Sequence, residues 1–306
     1  MCLNDTQNRR NTEAYAPGSP PSNQMRLCYL IPDTSYAFFR ELSPFLAAAG
    51  FELSYRNPEQ ADLVLAAMLP QTVDWAAALA SVKTPIVLWH WDQFSFVDCQ
   101  RHPGWRAHYE LMPRASEIWS ASYQTARQLK ASHGYDSFVV GSWANRADFQ
   151  PPFERGDYVL YAAPRSAFHK RIEWVELACR RLGLPLVTTY QRDRTRQEYC
   201  EIVKGCRCYV MAAFEESNAT IPALEAALCG KPVLASRLPA VVEELGEAGR
   251  YFDPWDFGDL LRQLRVVYEL PHPAAELRER VARLFSLDIV ARRIVRRLQS
   301  LLEPGT

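Results

Sequence analysis

The residues best suited to chemistry lie in one stretch, 206–254, CRCYVMAAFEESNATIPALEAALCGKPVLASRLPAVVEELGEAGRYFDP. Its pattern reads as an apolar strand running into a polar loop, then a short helix stopped by Gly230, then a second strand. Thr220 is expected to cap that helix, and Pro222 suits its first turn. The backbone N–H groups of Asn218, Ala219, Thr220 and Ile221 would then face outward as open donors. A helix start of this kind draws anions through those donors and through its dipole. Glu225 falls one turn in, where a carboxylate can accept two hydroxyl hydrogen bonds from a ribose. As a plain partner of the helix dipole it would contribute only a few tenths of a kcal/mol.

Other chemistries lack their signatures. No G-x-G-x-x-G follows a strand, so dinucleotide-dependent redox chemistry has no support. Gly230-Lys231 lacks the upstream Gly and following Ser/Thr of a phosphate-binding P-loop, and no G-x-S-x-G elbow marks a hydrolase. The eight cysteines contain no C-x-x-C pair, and no histidine lies close enough in sequence to complete a metal site. Cys206 and Cys208 are expected on one face of a strand, but two thiols do not make a zinc site. Reduced, buried cysteines in a cytoplasmic protein are the expectation.

These residues need a scaffold, and the 306-residue chain is long enough for two domains. With 48% hydrophobic and 23% charged residues it has a globular composition. No apolar run approaches the ~18 residues of a membrane span, and no leading apolar stretch resembles a secretory signal. Its 35 basic and 35 acidic residues cancel, so nucleic acid is not indicated as a partner. Residues 1–24 are polar and rich in Pro, Ser and Asn, and read as a disordered tail. Strands are expected at RLCYLI (26–31), FELSY, DLVLAAM, PIVLWHW, EIWSA (117–121) and SFVVGS (137–142), with helices over 36–49 and 122–132. The segment 143–157, with its Pro-Pro, reads as an interdomain linker. A second series follows: YVLYAA (158–163), a helix over 169–182, PLVTTY, a helix over 194–204, CRCYVMAA, PVLAS (232–236) and RYF (250–252), then helices to the end. Such β-α alternation predicts parallel sheets with helices on both faces, and ligands at the carboxyl ends of the strands.

The 206–254 segment resembles the sugar-nucleotide-binding region of retaining glycosyltransferase family 4, which has the GT-B fold. Glu225-Ala226 and Cys229-Gly230 match the later part of that family's two-glutamate motif, and ASRLPAVVEELGEAGRYFDP matches its following strand, loop and closing FDP. Upstream, YVLYAAPRSAFHKRIEWVELACRRL is similar to its strand-Gly-Arg-Leu-x5-Lys-helix segment, with Arg165 and Lys170 at the family's separation and Pro164 in place of the Gly. The resemblance extends over most of residues 25–303, more closely in the second half. It implies two Rossmann-like domains facing a cleft: 25–150 on the acceptor side, 151–285 binding the nucleotide sugar, and 286–306 a helix returning to the first domain.

The resemblance also implies roles. Arg165 and Lys170, with Thr220 and Ile221, would hold the donor diphosphate, and Glu225 the ribose. The first glutamate of the motif, which contacts the donor sugar, is Glu216 when counted forward from the strand. Counting back from Glu225 puts Ser217 there instead, with Glu215 as a fallback. An extra residue in a surface loop costs little, which favours Glu216. Glu216, Ser217, Asn218 and Ala219 would thus line the sugar. In the first half PIVLWHWD resembles the family's strand ending in His-Asp: Asp92 matches the Asp, Trp91 occupies the His position, and His90 is one residue early. His90 is therefore either the active-site histidine or a buried one, since a one-residue slip on a strand flips the side chain. Asp33 and Thr34 fall where the family has a diglycine loop, on the acceptor side of the cleft. The expectation is a metal-independent retaining hexosyltransferase using a GDP- or UDP-sugar and an acceptor hydroxyl of a glycan, lipid, protein or small molecule. The alternative is a GT-B-like binding or interaction protein that lost turnover. The last helix carries Ile294, Val295, Leu298, Leu301 and Leu302 at helical spacing with Arg292, Arg293, Arg296 and Arg297 interleaved. Packing on the first domain is its expected role, with contact to an acidic inner membrane surface the lesser one.

Overall fold

The computed structural model describes residues 25–30, 37–68, 73–91, 103–151, 153, 155–163, 165, 167–189, 194–270 and 274–303. The expected tail 1–24 lies outside them. The first series comprises β1 (Met25–Leu30), α1 (Ala37–Arg40), α2 (Ser43–Ala48), β2 (Phe51–Ser54), β3 (Leu63–Met68), α3 (Val73–Leu79), β4 (Ile86–His90), α4 (Pro103–Leu111), β5 (Glu117–Ser120), α5 (Tyr123–His133) and β6 (Phe138–Val139). Its sheet has the order β2-β1-β3-β4-β5-β6. Pairing is parallel, with Leu27 opposite Leu63 and Met68 opposite His90. All residues of β3 and β4 are buried, as expected of strands covered on both faces. The single helix expected over 36–49 is instead broken into α1 and α2. Pro44 explains the break: it has no N–H to continue the i to i−4 ladder back to α1, and it sits instead in the first turn of α2, where that N–H is not needed. Gly50, at φ +91°, ends α2 as expected.

The second series comprises β7 (Val159–Tyr161), α6 (Ile172–Leu182), β8 (Leu186–Thr188), α7 (Arg196–Gly205), β9 (Cys208–Met211), α8 (Ile221–Leu228), β10 (Val233–Ser236), α9 (Pro239–Leu245), β11 (Arg250–Phe252), α10 (Phe257–Glu269), α11 (Ala275–Leu284) and α12 (Leu287–Leu302). The stretch expected as loop after β10 contains α9, with Pro239 at its first position, where a missing N–H costs nothing. The sheet order is β11-β10-β9-β7-β8, and the pairs are parallel. Strand order therefore reverses between β7 and β9, and the crevice above that reversal is where a doubly wound sheet takes its ligand.

The two faces of this sheet bury different sets. Cys208, Val210 and Ala212 pack with Ile172, Val175 and Leu264 on one side. Tyr209, Met211 and Ala213 pack with Leu224, Ala227 and Val241 on the other. Cys206 joins the second set and Cys208 the first, which corrects the expectation that they share a face. The reason is local: β9 begins only at Cys208, and Cys206 still belongs to the end of α7.

Among the described residues, one compact unit takes those of Met1–His90, Gln100–Ile118 and Ala291–Thr306, and the other those of Trp91–Cys99 and Trp119–Val290. In the second unit, the proline-rich segment after β6 is built into the core: Trp143, Ala144 and Phe149 are buried, and Ala144 bridges to Ser286. In the first, α12 buries Ile294, Val295 and Leu298, while Arg297 forks onto Glu117 at 2.5–3.0 Å. The apolar face of α12 is thus occupied by the protein itself. No helix among the described residues is long and apolar enough to cross a membrane.

Candidate functional site

The reversal between β7 and β9 brings two oppositely charged side chains of the second unit together. The segment after β7 turns through one 3-10 turn, Phe168–Lys170, before α6 begins. The segment after β9 runs 212–220 before α8. Lys170 from the first and Glu216 from the second meet across the crevice, with Nζ 2.5 Å from Oε1. Glu216 is buried, and that burial raises its carboxyl above the ordinary range, although Lys170 pulls in the other direction. The Lys170 turn is anchored from below, because the Tyr161 hydroxyl donates to the Lys170 carbonyl at 3.1 Å. Arg165 is placed differently: it pairs with Glu176 on α6 and is half exposed.

The 214–220 loop is held from behind. Ser122, the N-cap of α5, and Thr125 both donate hydroxyls to the Ser217 carbonyl, at 2.6 and 3.1 Å. The Ala219 N–H donates to Glu244 Oε2 at 2.8 Å, and the Ser142 N–H donates to the other oxygen at 3.1 Å. Glu244 is buried, and desolvation pushes its carboxyl up to about 8 despite those N–H bonds. Ala219 therefore does not offer the free amide that the sequence predicts. Asn218 is also buried, and Ile221 opens α8 as expected. Thr220 starts α8 through its carbonyl, which accepts from Ala223 and Leu224. Its side chain makes no cap, contrary to expectation: the hydroxyl turns inward to Tyr209 and Met211. Gly230, at φ +67°, ends the helix with its N–H on the Ala227 carbonyl.

Glu225 is buried on α8 and fully engaged. The Tyr199 hydroxyl donates to Oε2 at 2.6 Å, and Arg196 approaches Oε1 at 2.7 Å. Arg196, half exposed, also bonds Asp148 at 2.9 and 3.1 Å and stacks over Phe149 and Tyr199. Burial raises the Glu225 carboxyl, with Arg196 and Tyr199 opposing that shift. The ribose carboxylate of the sequence reading is thus covered by a cation and a phenol. Sequence reasoning missed Arg196 and Tyr199, and likewise Glu244, Ser122 and Thr125. One local signal was present: Thr195 and Glu198 form a reciprocal capping box, which sets Arg196 at the first position of α7.

In the first unit, His90 is the last residue of β4 and is enclosed, its ring centroid 5.9 Å from that of Tyr109. Asp92, Asp33 and Thr34 lie outside the described residues. Cys28, Cys179, Cys200, Cys206, Cys208 and Cys229 are free and buried. Among the described residues no three His, Cys, Asp or Glu side chains cluster closely enough to hold a metal ion.

No protein-family model and no curated protein matches the sequence. Solved structures do match in shape. A glycosyltransferase from Rickettsia africae superposes with a TM-score of 0.71 at 12% identity, covering 92% of this chain and 100% of that one. Anabaena HepE in complex with UDP-glucose gives 0.68 at 13% identity, over 90% and 100%. Sucrose-phosphate synthase from Thermosynechococcus elongatus gives 0.66 at 16% identity, over 89% and 80%. At these identities the likeness establishes the fold, two parallel-sheet α/β halves of the GT-B type.

Proposed function

We propose that this chain is a retaining glycosyltransferase that moves a hexose from a nucleotide-diphosphate sugar to an acceptor hydroxyl, with side-chain cations in place of a metal. The observation that carries the reading is the Lys170–Glu216 pair across the strand reversal. It presents a cation and a carboxylate together at the point where this class of sheet binds ligands. The diphosphate oxygens would share the Lys170 ammonium, with Arg165 as the second cation. Such charge-assisted hydrogen bonds contribute about 1.5–3 kcal/mol each, and more where charge develops in a transition state. Glu216 would accept from hydroxyls of the donor sugar, and the N-terminal turn of α8, at Thr220 and Ile221, would face the phosphates. A carboxylate offers about four lone-pair sites, so Glu225 can keep Tyr199 and Arg196 and still accept from a ribose. Arg196, at the surface of that cluster, would be the group the nucleoside meets first.

In the reaction the bond between the sugar's anomeric carbon and the phosphate oxygen breaks, and the acceptor oxygen bonds that carbon from the same face. The acceptor proton passes to the departing phosphate. The first half, with His90, Asp92, Asp33 and Thr34, supplies the acceptor side in this reading. Complexes of Anabaena HepE with UDP and with UDP-glucose make uracil the first base to try.

A second reading keeps the ligand and drops the turnover. It is favoured by the engagement of Glu225 with Arg196 and Tyr199 and of the Ala219 amide with Glu244. Calorimetry with UDP, GDP and their sugars, followed by mass spectrometry of the products, separates the two. Transfer that disappears in Lys170→Ala and Glu225→Ala while the variants stay folded supports the enzyme. Wild-type transfer in both variants overturns the assignment, and tight binding with no donor consumed supports the second reading.

A further inference from the structure

The same carboxyl edge of the second sheet carries a strip of aromatic rings that the proposed donor chemistry does not use. Phe168 lies two residues before Lys170, Phe214 two residues before Glu216, and Trp255 follows β11. The Phe214 ring is 5.8 Å from both Phe168 and Trp255, so the three form a row across the ends of three strands. The Phe214 N–H donates to the His169 carbonyl at 2.9 Å, tying the two loops together. Trp255 is 69% and Phe168 61% exposed, high values for rings of this size.

The row is built rather than incidental. Arg171 inserts its guanidinium among Trp174, Phe214 and Trp255, at 4.4, 4.9 and 4.7 Å from the ring centroids, and bonds the Pro254 carbonyl. Its backbone, at the junction between the 3-10 turn and α6, has φ +51°, a left-handed conformation uncommon for non-glycine residues. Strain of this kind persists where the surroundings over-determine it, and it concentrates at ligand sites. The Trp255 backbone is fixed as well, its N–H on Asp253 Oδ1 at 2.8 Å. Glu215, Asp253 and Asp256 neighbour these rings in sequence and bring carboxylate acceptors to the edge, alongside the cations Lys170 and Arg171.

We infer that Phe168, Phe214 and Trp255 form a subsite that stacks a neutral pyranose ring, continuous with the Lys170–Glu216 site. A sugar presents an apolar C–H face to a ring and its hydroxyls to the flanking carboxylates, which is the chemistry this edge offers. The inference rests on the glycosyltransferase reading, but its test is separable from it. Two sources share this chemistry, the donor's own sugar and a free saccharide acceptor.

The test titrates the full chain with maltotriose, cellotriose and chitotriose by saturation-transfer NMR and tryptophan fluorescence, and with UDP and UDP-glucose by calorimetry. Trp255→Ala and Phe168→Ala are expected to weaken pyranose binding about fivefold to tenfold each and to leave UDP binding unchanged. Trp255→Phe, which keeps a ring over Arg171, should restore most of the affinity and controls for a fold that merely loosens. Loss confined to a trisaccharide identifies an acceptor subsite, and loss for UDP-glucose but not UDP identifies the donor's sugar. If no trisaccharide binds and UDP-glucose binding is unchanged in both alanine variants, the subsite is refuted, whatever UDP does. Failure of UDP to bind wild-type protein, by contrast, overturns the nucleotide reading alone.

Discussion

Removing the Lys170 ammonium is the sharpest perturbation of the proposed site, because it acts on ligand binding and on folding through different partners. Glu216 is buried, with Lys170 2.5 Å away. For a nucleoside diphosphate, Lys170→Ala forfeits one charge-assisted bond of about 1.5–3 kcal/mol, so affinity for UDP should fall about 10- to 150-fold. For the fold, it strands a buried carboxylate, a change that typically costs about 3–5 kcal/mol when the group must stay ionised. Glu216 can escape part of that cost by taking a proton, since burial already raises its pKa. The sign follows: with its folded pKa raised further, Glu216 stabilises the variant below its ordinary carboxyl range and loses that contribution as pH rises. The stability deficit of Lys170→Ala should therefore be small in acid and grow toward neutrality. Adding Glu216→Gln should recover stability, because neither charge is then stranded, without recovering UDP affinity. Calorimetric titration with UDP and urea unfolding across pH 4–8 read the two effects separately. Wild-type UDP affinity in Lys170→Ala would refute the cation's role, and a double variant that regains UDP binding would show that the pair is purely structural.

Two further predictions concern the scaffold. Glu244, raised to about 8 by burial, holds a proton in the folded state that it releases near its ordinary 4.5 when unfolded. Its contribution to stability should decline between those values as pH rises, on the order of 1.4 kcal/mol per unit at most. Glu244→Gln should flatten that decline while costing about 1–3 kcal/mol at low pH, because one of its two N–H partners then faces an amide N–H; an unchanged pH slope would refute this. A Cβ on Gly156 would fall 1.7 Å from the Gly205 carbonyl oxygen, so one backbone must move. Gly156→Ala should cost on the order of 3 kcal/mol, read as a lower thermal midpoint, and a wild-type midpoint would refute the close approach.

Much of this protein was legible along the chain because each signal is local. The apolar runs of β1, β3 and β4, the left-handed stops at Gly50 and Gly230, and the two alternating series need only neighbours in sequence to be read. The exceptions were also local, and readable afterwards: Pro44 splitting the first helix, Pro239 starting α9, and the capping box ahead of Arg196. The candidate site is another matter. Glu225 reads as a free carboxylate until β8 lies beside β7 and α7 brings Tyr199 and Arg196 over it. Thr220 reads as a cap until Tyr209 and Met211 draw its hydroxyl inward, and the Ala219 amide reads as open until α9 delivers Glu244. Residue type and spacing determine which groups a segment can offer, because backbone preference and periodicity act over a few residues. Which groups meet is decided by strand order, which joins loops distant in the chain at one sheet edge, and there burial and pairing settle which charges remain for a ligand.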